Sequence, residues 1–168
     1  MRIFLIGYMA SGKSKTGELL ASLLGYSLED TDTAIVKSEG RSIVEIFSES
    51  GEDAFRQLEH NALLATFKKN NIVVSTGGGL PCSGDNMQLM NEQGVTVYLE
   101  ANAGLLFHRL LQSRKGRPLL EKLSDVELME KINAHLAERT LYYEMAKIKV
   151  PAASLNVKKL AAQIQSLK

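Results

Sequence analysis

Short β-rich runs alternate with longer helical ones along this 168-residue chain, which predicts an α/β fold of parallel strands joined by crossover helices. Two observations reinforce that class. The first run, Arg2 to Ile6, is almost wholly apolar, as in a central strand covered on both faces. It passes directly into a glycine-containing loop and then a helical pattern, the order in which a phosphate-binding loop is built.

The further strands are read at Tyr26 to Asp30 after the helix-stopping Gly25, at Ile72 to Ser75, at Val95 to Leu99 after Gly94, and at Lys147 to Val150 before Pro151. Between the first two, Lys13 to Leu24 repeats apolar residues at spacings of three and four. Thr16, Leu19, Leu20, Leu23 and Leu24 are therefore expected to face the sheet. Ser42 with Glu45, and Ser124 with Glu127, read as capping boxes, in which a serine and a glutamate three residues later satisfy each other's orphan amides. Long amphipathic helices are expected over Gly51 to Phe67 and Asp125 to Tyr143, and a closing one over Asn156 to Leu167. The basic segment from Ser113 to Ser124 breaks the period and reads as a mobile loop.

Composition narrows the class of protein. With 45% hydrophobic and 23% charged residues, the chain fits one globular domain over 1–168, and at this length a fold buries roughly 70% of its unfolded surface without disulfides or a structural metal. The lone Cys82 reads as a small buried hydrophobe in a reducing compartment. Twenty Lys and Arg against nineteen Asp and Glu leave a charge of +1, which argues against nucleic-acid or anionic-membrane binding. No stretch has the length of a membrane span, and Ile3 to Ala10 is too short for a secretory signal, so a cytoplasmic protein is expected. His60, His108 and His135 lack metal-ligand spacing.

Chemistry enters at Gly7-Tyr8-Met9-Ala10-Ser11-Gly12-Lys13-Ser14, a complete match to the phosphate loop. Its amides encircle phosphate oxygens, the next helix points its positive end at the same anion, Lys13 neutralises the β and γ phosphates, and the Ser14 hydroxyl ligates magnesium. Two other patterns bear on the acceptor. Asp30 and Asp32 close the second strand, where alternation would turn both carboxylates to one side, one for the metal's water shell and one for a hydroxyl proton. Gly77, Gly78 and Gly79 follow the buried third strand, and ordering them costs about 0.5–1 kcal/mol each relative to alanine, which a bare backbone at a ligand would explain. A solvated turn or a helix cap remains open for the aspartates, and a flexible turn for the glycines.

Taken together with Phe55-Arg56-Gln57-Leu58-Glu59, Arg117-Pro118-Leu119 and Glu138-Arg139 before Tyr143, these motifs make the chain resemble the shikimate kinases nearly end to end. The resemblance implies a five-stranded parallel sheet in the order 2-3-1-4-5, flanked by helices, with a lid near 113–124. It also implies direct in-line transfer of the γ-phosphate of ATP to the 3-hydroxyl of shikimate, in aromatic amino acid biosynthesis. The nucleotide would be held by Gly7, Ala10, Ser11, Gly12, Lys13, Ser14, Lys15, Thr16 and the lid arginine Arg117. Arg56 and Arg139 would clamp the shikimate carboxylate, Gly77 to Gly79 would complete the pocket, and Asp32 would bind ring hydroxyls and act as base. Mg2+ would lie at Ser14 and Asp30, and catalysis would rest on Asp32, Lys13 and Arg117. Only ATP and shikimate are expected as partners, and a monomer is expected. Arg114 and Pro151 to Ser154 are candidates to border adenine.

The chain departs from the family pattern at two points: Ala10 stands where glycine is usual and Leu141 where proline is usual. Ser75-Thr76 stands where many phosphate-loop enzymes carry a magnesium aspartate, which is normal for the resembled family and increases reliance on Asp30. Two rivals remain: a kinase for gluconate or a nucleoside monophosphate, and a nucleotide-binding switch without transfer activity. Two arginines with Asp32 favour a compact hydroxylated carboxylate. The lack of an Asn-Lys-x-Asp guanine reader weighs against a GTPase switch.

Overall fold

Five parallel strands run in the order β2-β3-β1-β4-β5 in the computed structural model, which describes residues 1–113 and 123–167. They are β1 (Arg2–Ile6), β2 (Ser27–Asp30), β3 (Ile72–Ser75), β4 (Val95–Glu100) and β5 (Ile148–Pro151). All four pairings are parallel. The expected class and strand order are thus observed, with strand ends moved by one residue.

Seven α-helices are found among the described residues: α1 (Lys13–Leu24), α2 (Thr31–Glu39), α3 (Ile43–Thr66), α4 (Asn86–Gln93), α5 (Ala103–Gln112), α6 (Asp125–Tyr143) and α7 (Val157–Gln165). The capping boxes at Ser42 and Ser124 form as expected. The third helix is longer than its sequence suggests and is broken at Gly51, whose φ of 82° and ψ of 175° interrupt the helical backbone.

Alternation along β1 divides the interior in two. Ile3 and Leu5 pack beneath α1, α5 and α7 with Leu20, Leu106, Leu110, Leu160 and Ile164. Phe4 and Ile6 pack on the other face with Leu63, Met87, Met90 and Tyr143. Helix α6 contributes Leu128 and Ile132 to the first core and Tyr143 to the second. Its middle therefore crosses the sheet's carboxyl edge, the crevice where ligands bind in open parallel sheets.

The face of α1 differs from expectation. Thr16 and Leu20 are buried as expected, but Leu19 and Leu23 are each 48% exposed, while Gly17 and Ala21 are buried in their place. Close approach is the reason: a Cβ at Gly17 would lie 2.9 Å from Leu28 Cδ1 and 3.4 Å from Leu5 Cδ1. Small residues bring the helix onto the sheet, and Leu19 and Leu23 stay outside.

Candidate active site

The loop from Gly7 to Ser14 leaves the end of β1 and closes on the N-terminus of α1. Gly7 and Gly12 take φ of 138° and 105°, a region that favours glycine, and a Cβ at Gly7 would lie 2.9 Å from Leu99 O. Ala10 adopts φ 62° at the position where glycine is usual, so its methyl group is accommodated at the expense of local strain. Lys13 is buried, and its Nζ donates to the carbonyls of Gly7 and Tyr8, each at 2.8 Å. This folds the ammonium back over the loop.

Asp30 and Asp32 share the site for a reason other than strand alternation. Asp30 is the last residue of β2 and caps α2, its Oδ1 accepting from the amides of Asp32 and Thr33 at 3.1 Å each. Its Oδ2 accepts from Ser14 Oγ at 3.5 Å. Asp32 lies in the first turn of α2, so the two carboxylates are brought together by a strand-to-helix junction. Oδ1 of Asp32 is buried and accepts no hydrogen bond from the described residues. Burial, then the neighbouring Asp30, raises its pKa, against the pull of Lys13 and Arg56.

The triple glycine threads between opposite charges. A Cβ at Gly77 would stand 2.6 Å from Glu59 Oε1 and 2.7 Å from Asp32 Oδ1, and one at Gly79 would stand 2.5 Å from Arg56 Nη1. At Gly78 the nearest groups are the phosphate-loop backbone and, at 3.7 Å, Arg139 Nη1. Arg56 and Arg139, 83 positions apart in sequence (139 minus 56), therefore converge on one loop. The loop is itself anchored, since Gly77 N donates to Thr31 Oγ1 at 2.9 Å and Tyr143 Oη donates to Gly78 O at 2.6 Å.

All these groups open on one cleft of about 910 Å³, lined by the phosphate loop, Asp30, Asp32, Arg56, Gly77 to Gly79 and Arg139. Phe47 and Phe55, ring centroids 4.6 Å apart, supply an apolar wall. Glu59, only 1% exposed, accepts from Arg56 Nη1 at 2.5 Å, and Glu52 accepts from the same guanidinium at 2.9 Å. Burial pushes the Glu59 carboxyl up to about 7, although Arg56 opposes it. For Arg56, burial works to lower the pKa, but Glu59 and Glu52 prevail and hold it raised.

Several residues of the site had no assigned role in the sequence. Glu59 belonged to a recognised motif, and its i, i+3 spacing from Arg56 on one helix was the available signal. His135 and Lys131 line the cleft from α6 at one-turn spacings from Arg139, so His135 is a site residue after all. Arg109 donates to the carbonyls of Ala10 and Ser11 at 3.1 and 2.9 Å and to Ala152 O at 3.2 Å, tying the 151–154 segment to the phosphate loop. Cys82 is half-buried rather than fully buried as expected, and burial pushes its pKa up to about 11. The helix runs unbroken through Leu141 to Tyr143. Arg117, Arg114 and most of the expected lid, residues 114–122, lie outside the described residues.

A parallel sheet with a phosphate loop after its central strand, and polar side chains facing that loop across one cleft, fits the class of phosphate-loop kinases. Comparison with known proteins agrees. The model of the family described as Shikimate kinase matches residues 9–168. A shikimate kinase from Azobacteroides pseudotrichonymphae is 44% identical over 148 residues, covering 88% of this chain and 87% of that one. The crystal structure of shikimate kinase from Bacteroides thetaiotaomicron superposes with a TM-score of 0.92 at 37% identity, covering 99% and 97% of the two chains. That of shikimate kinase from Acinetobacter baumannii in complex with shikimate gives 0.86 at 30% identity, covering 99% and 91%. The chain belongs to the shikimate kinase family.

Proposed function

We propose that this protein transfers the γ-phosphate of ATP to the 3-hydroxyl of shikimate, yielding shikimate 3-phosphate and ADP. The observation that carries this reading is the convergence of Arg56 and Arg139 with Asp32 on the triple glycine, next to the phosphate loop. Paired guanidinium groups suit a carboxylate, because their planar forks donate two hydrogen bonds at fixed geometry and stay charged. The acceptor carboxylate lies between Arg56 and Arg139. Its ring hydroxyls lie against Asp32, whose Oδ1, without a hydrogen-bond partner among the described residues, offers the acceptor lone pair.

The step is an in-line displacement. The acceptor oxygen forms a bond to the γ-phosphorus as the bond to the bridging oxygen of ADP breaks, and the hydroxyl proton passes to Asp32. A carboxylate whose pKa is raised by burial is a better proton acceptor than an exposed one. Lys13, with Gly7, Ala10, Ser11, Gly12, Lys15 and Thr16, receives the triphosphate, and positioning with charge neutralisation supplies most of the acceleration. The hard oxygens of Ser14 and Asp30 Oδ2 fit Mg2+, which binds through one or two such groups together with substrate phosphates. When bound, the ion neutralises phosphate charge. No described helix is long and apolar enough to cross a membrane. We read the protein as a cytoplasmic monomer acting as one domain.

A coupled assay of ADP release with Mg-ATP tests the reading. Shikimate is expected to support turnover, and gluconate and nucleoside monophosphates are not. Turnover with one of the latter and none with shikimate would overturn it.

A further inference from the structure

The second residue of the phosphate loop is a tyrosine, and the proposed chemistry makes no use of it. Tyr8 is 2% exposed, so its hydroxyl needs a partner inside the protein. That partner is His135 of α6, whose Nδ1 lies 2.9 Å from Tyr8 Oη. One turn further along the same helix, the Arg139 guanidinium carbon sits 5.7 Å from the centroid of the Tyr8 ring. Tyr8 thus touches α6 twice, through its hydroxyl and through its face.

We infer that Tyr8 and His135 are positioning residues for the acceptor clamp, together fixing Arg139 against the phosphate loop at the height where it meets a carboxylate. The inference rests on the reading of Arg139 as an acceptor ligand. Arg139 is a long side chain with several rotatable bonds, and ordering it at the moment of binding would cost affinity. An aromatic face beneath the guanidinium holds it beforehand through a cation–π contact. The hydroxyl bond to His135 fixes the ring's own place relative to α6. Because the tyrosine is covalently part of the loop that receives the phosphates, the clamp is registered to the position of the transferred group.

The hydrogen bond joins two groups that their surroundings favour as neutral. His135 is held in its neutral form by burial first, then by Arg139 and Lys131, against the opposing Glu138 and Glu52. Burial likewise keeps Tyr8 protonated, although Arg139 pulls the other way. A neutral imidazole has one donor and one acceptor nitrogen, so Tyr8 donates to Nδ1 in the Nε2–H tautomer and accepts from it in the Nδ1–H tautomer; either way the bond joins the loop to α6.

The test is steady-state kinetics on the full chain with ATP and shikimate varied in turn. Wild-type enzyme is measured first. Failure to phosphorylate shikimate would overturn the proposed function and this inference with it. Tyr8→Phe keeps the ring and removes the hydroxyl, and His135→Leu removes its partner at a half-buried helix position that leucine tolerates, so the second variant remains informative if the first does not fold. Each is expected to raise the shikimate KM by roughly three- to tenfold, the scale of one lost internal hydrogen bond, with the ATP KM changed less than twofold. The double variant is expected to match the singles, because both remove the same bond. His135→Asn, whose Oδ1 falls near the place of Nδ1, is expected to recover most of the loss. A shikimate KM within twofold of wild type in the variants, equal rises in both KM values, or additive effects would overturn the inference.

Discussion

The two ends of the cleft hold their ligands with different material. At the nucleotide end, eight consecutive residues, Gly7 to Ser14, offer backbone amides and one ammonium, and the helix behind them adds its dipole. At the end we assign to the acceptor, side chains from α2, α3 and α6 meet around a glycine loop after β3. The first end is encoded locally and needs little of the fold to be correct. The second exists only when distant segments arrive together. Backbone recognition is therefore general for triphosphates, while specificity for the acceptor is dispersed over the chain and exposed to single substitutions.

Changes at the dispersed end should produce the largest effects. Asp32→Asn keeps the shape but cannot take the proton, so kcat is expected to fall by about 10²–10⁴-fold with ATP still bound. Near-normal turnover would move the base elsewhere. Arg139→Ala is expected to cost about 2–5 kcal/mol in acceptor binding, read as the shikimate KM, with the ATP KM nearly unchanged. An unaltered shikimate KM would remove Arg139 from the pocket.

Glu59 sharpens the comparison through pH. Its folded pKa, about 7, lies above the ordinary 4.5, so its protonated form is the one folding favours. The contribution to stability is complete below pH 4.5 and is lost as pH rises toward 7, by at most about 3 kcal/mol at 1.36 kcal/mol per unit. Denaturant titrations of wild type and Glu59→Gln across this window should show that slope disappearing in the variant. An identical slope in both would assign it to another group. The smallest effect belongs to the local end. Ala10→Gly relieves a left-handed alanine costing about 1–2 kcal/mol but adds unfolded-chain entropy, for a net gain under about 1 kcal/mol. A drop in Tm would show that Ala10 is not strained.

Legibility in the sequence follows the same division. The phosphate loop was readable because its chemistry and geometry lie in one contiguous stretch, and the strands because buried parallel strands are continuous apolar runs. Asp30 and Asp32 were recognised as a pair for the wrong geometric reason, since a capping aspartate and the end of a strand look alike until α2 is seen. The mis-phased α1 has a related cause. Periodicity weighs leucines above Gly17 and Ala21, whereas close packing on the sheet selects the small residues. The contacts of His135 with Tyr8 and of Arg109 with Ala10 span 127 and 99 positions, and no local pattern announces them.

The confinement of Gly77 to Gly79 between Asp32, Glu59, Arg56 and Arg139 bears on inhibitor escape. An added methyl group at Gly77 or Gly79 collides with Glu59, Asp32 or Arg56, two of which we assign to the acceptor, so on that reading the protein has little freedom to re-sculpt this surface under selection. A compound that draws its affinity from that stretch of main chain would therefore leave resistance few single-substitution routes that preserve turnover.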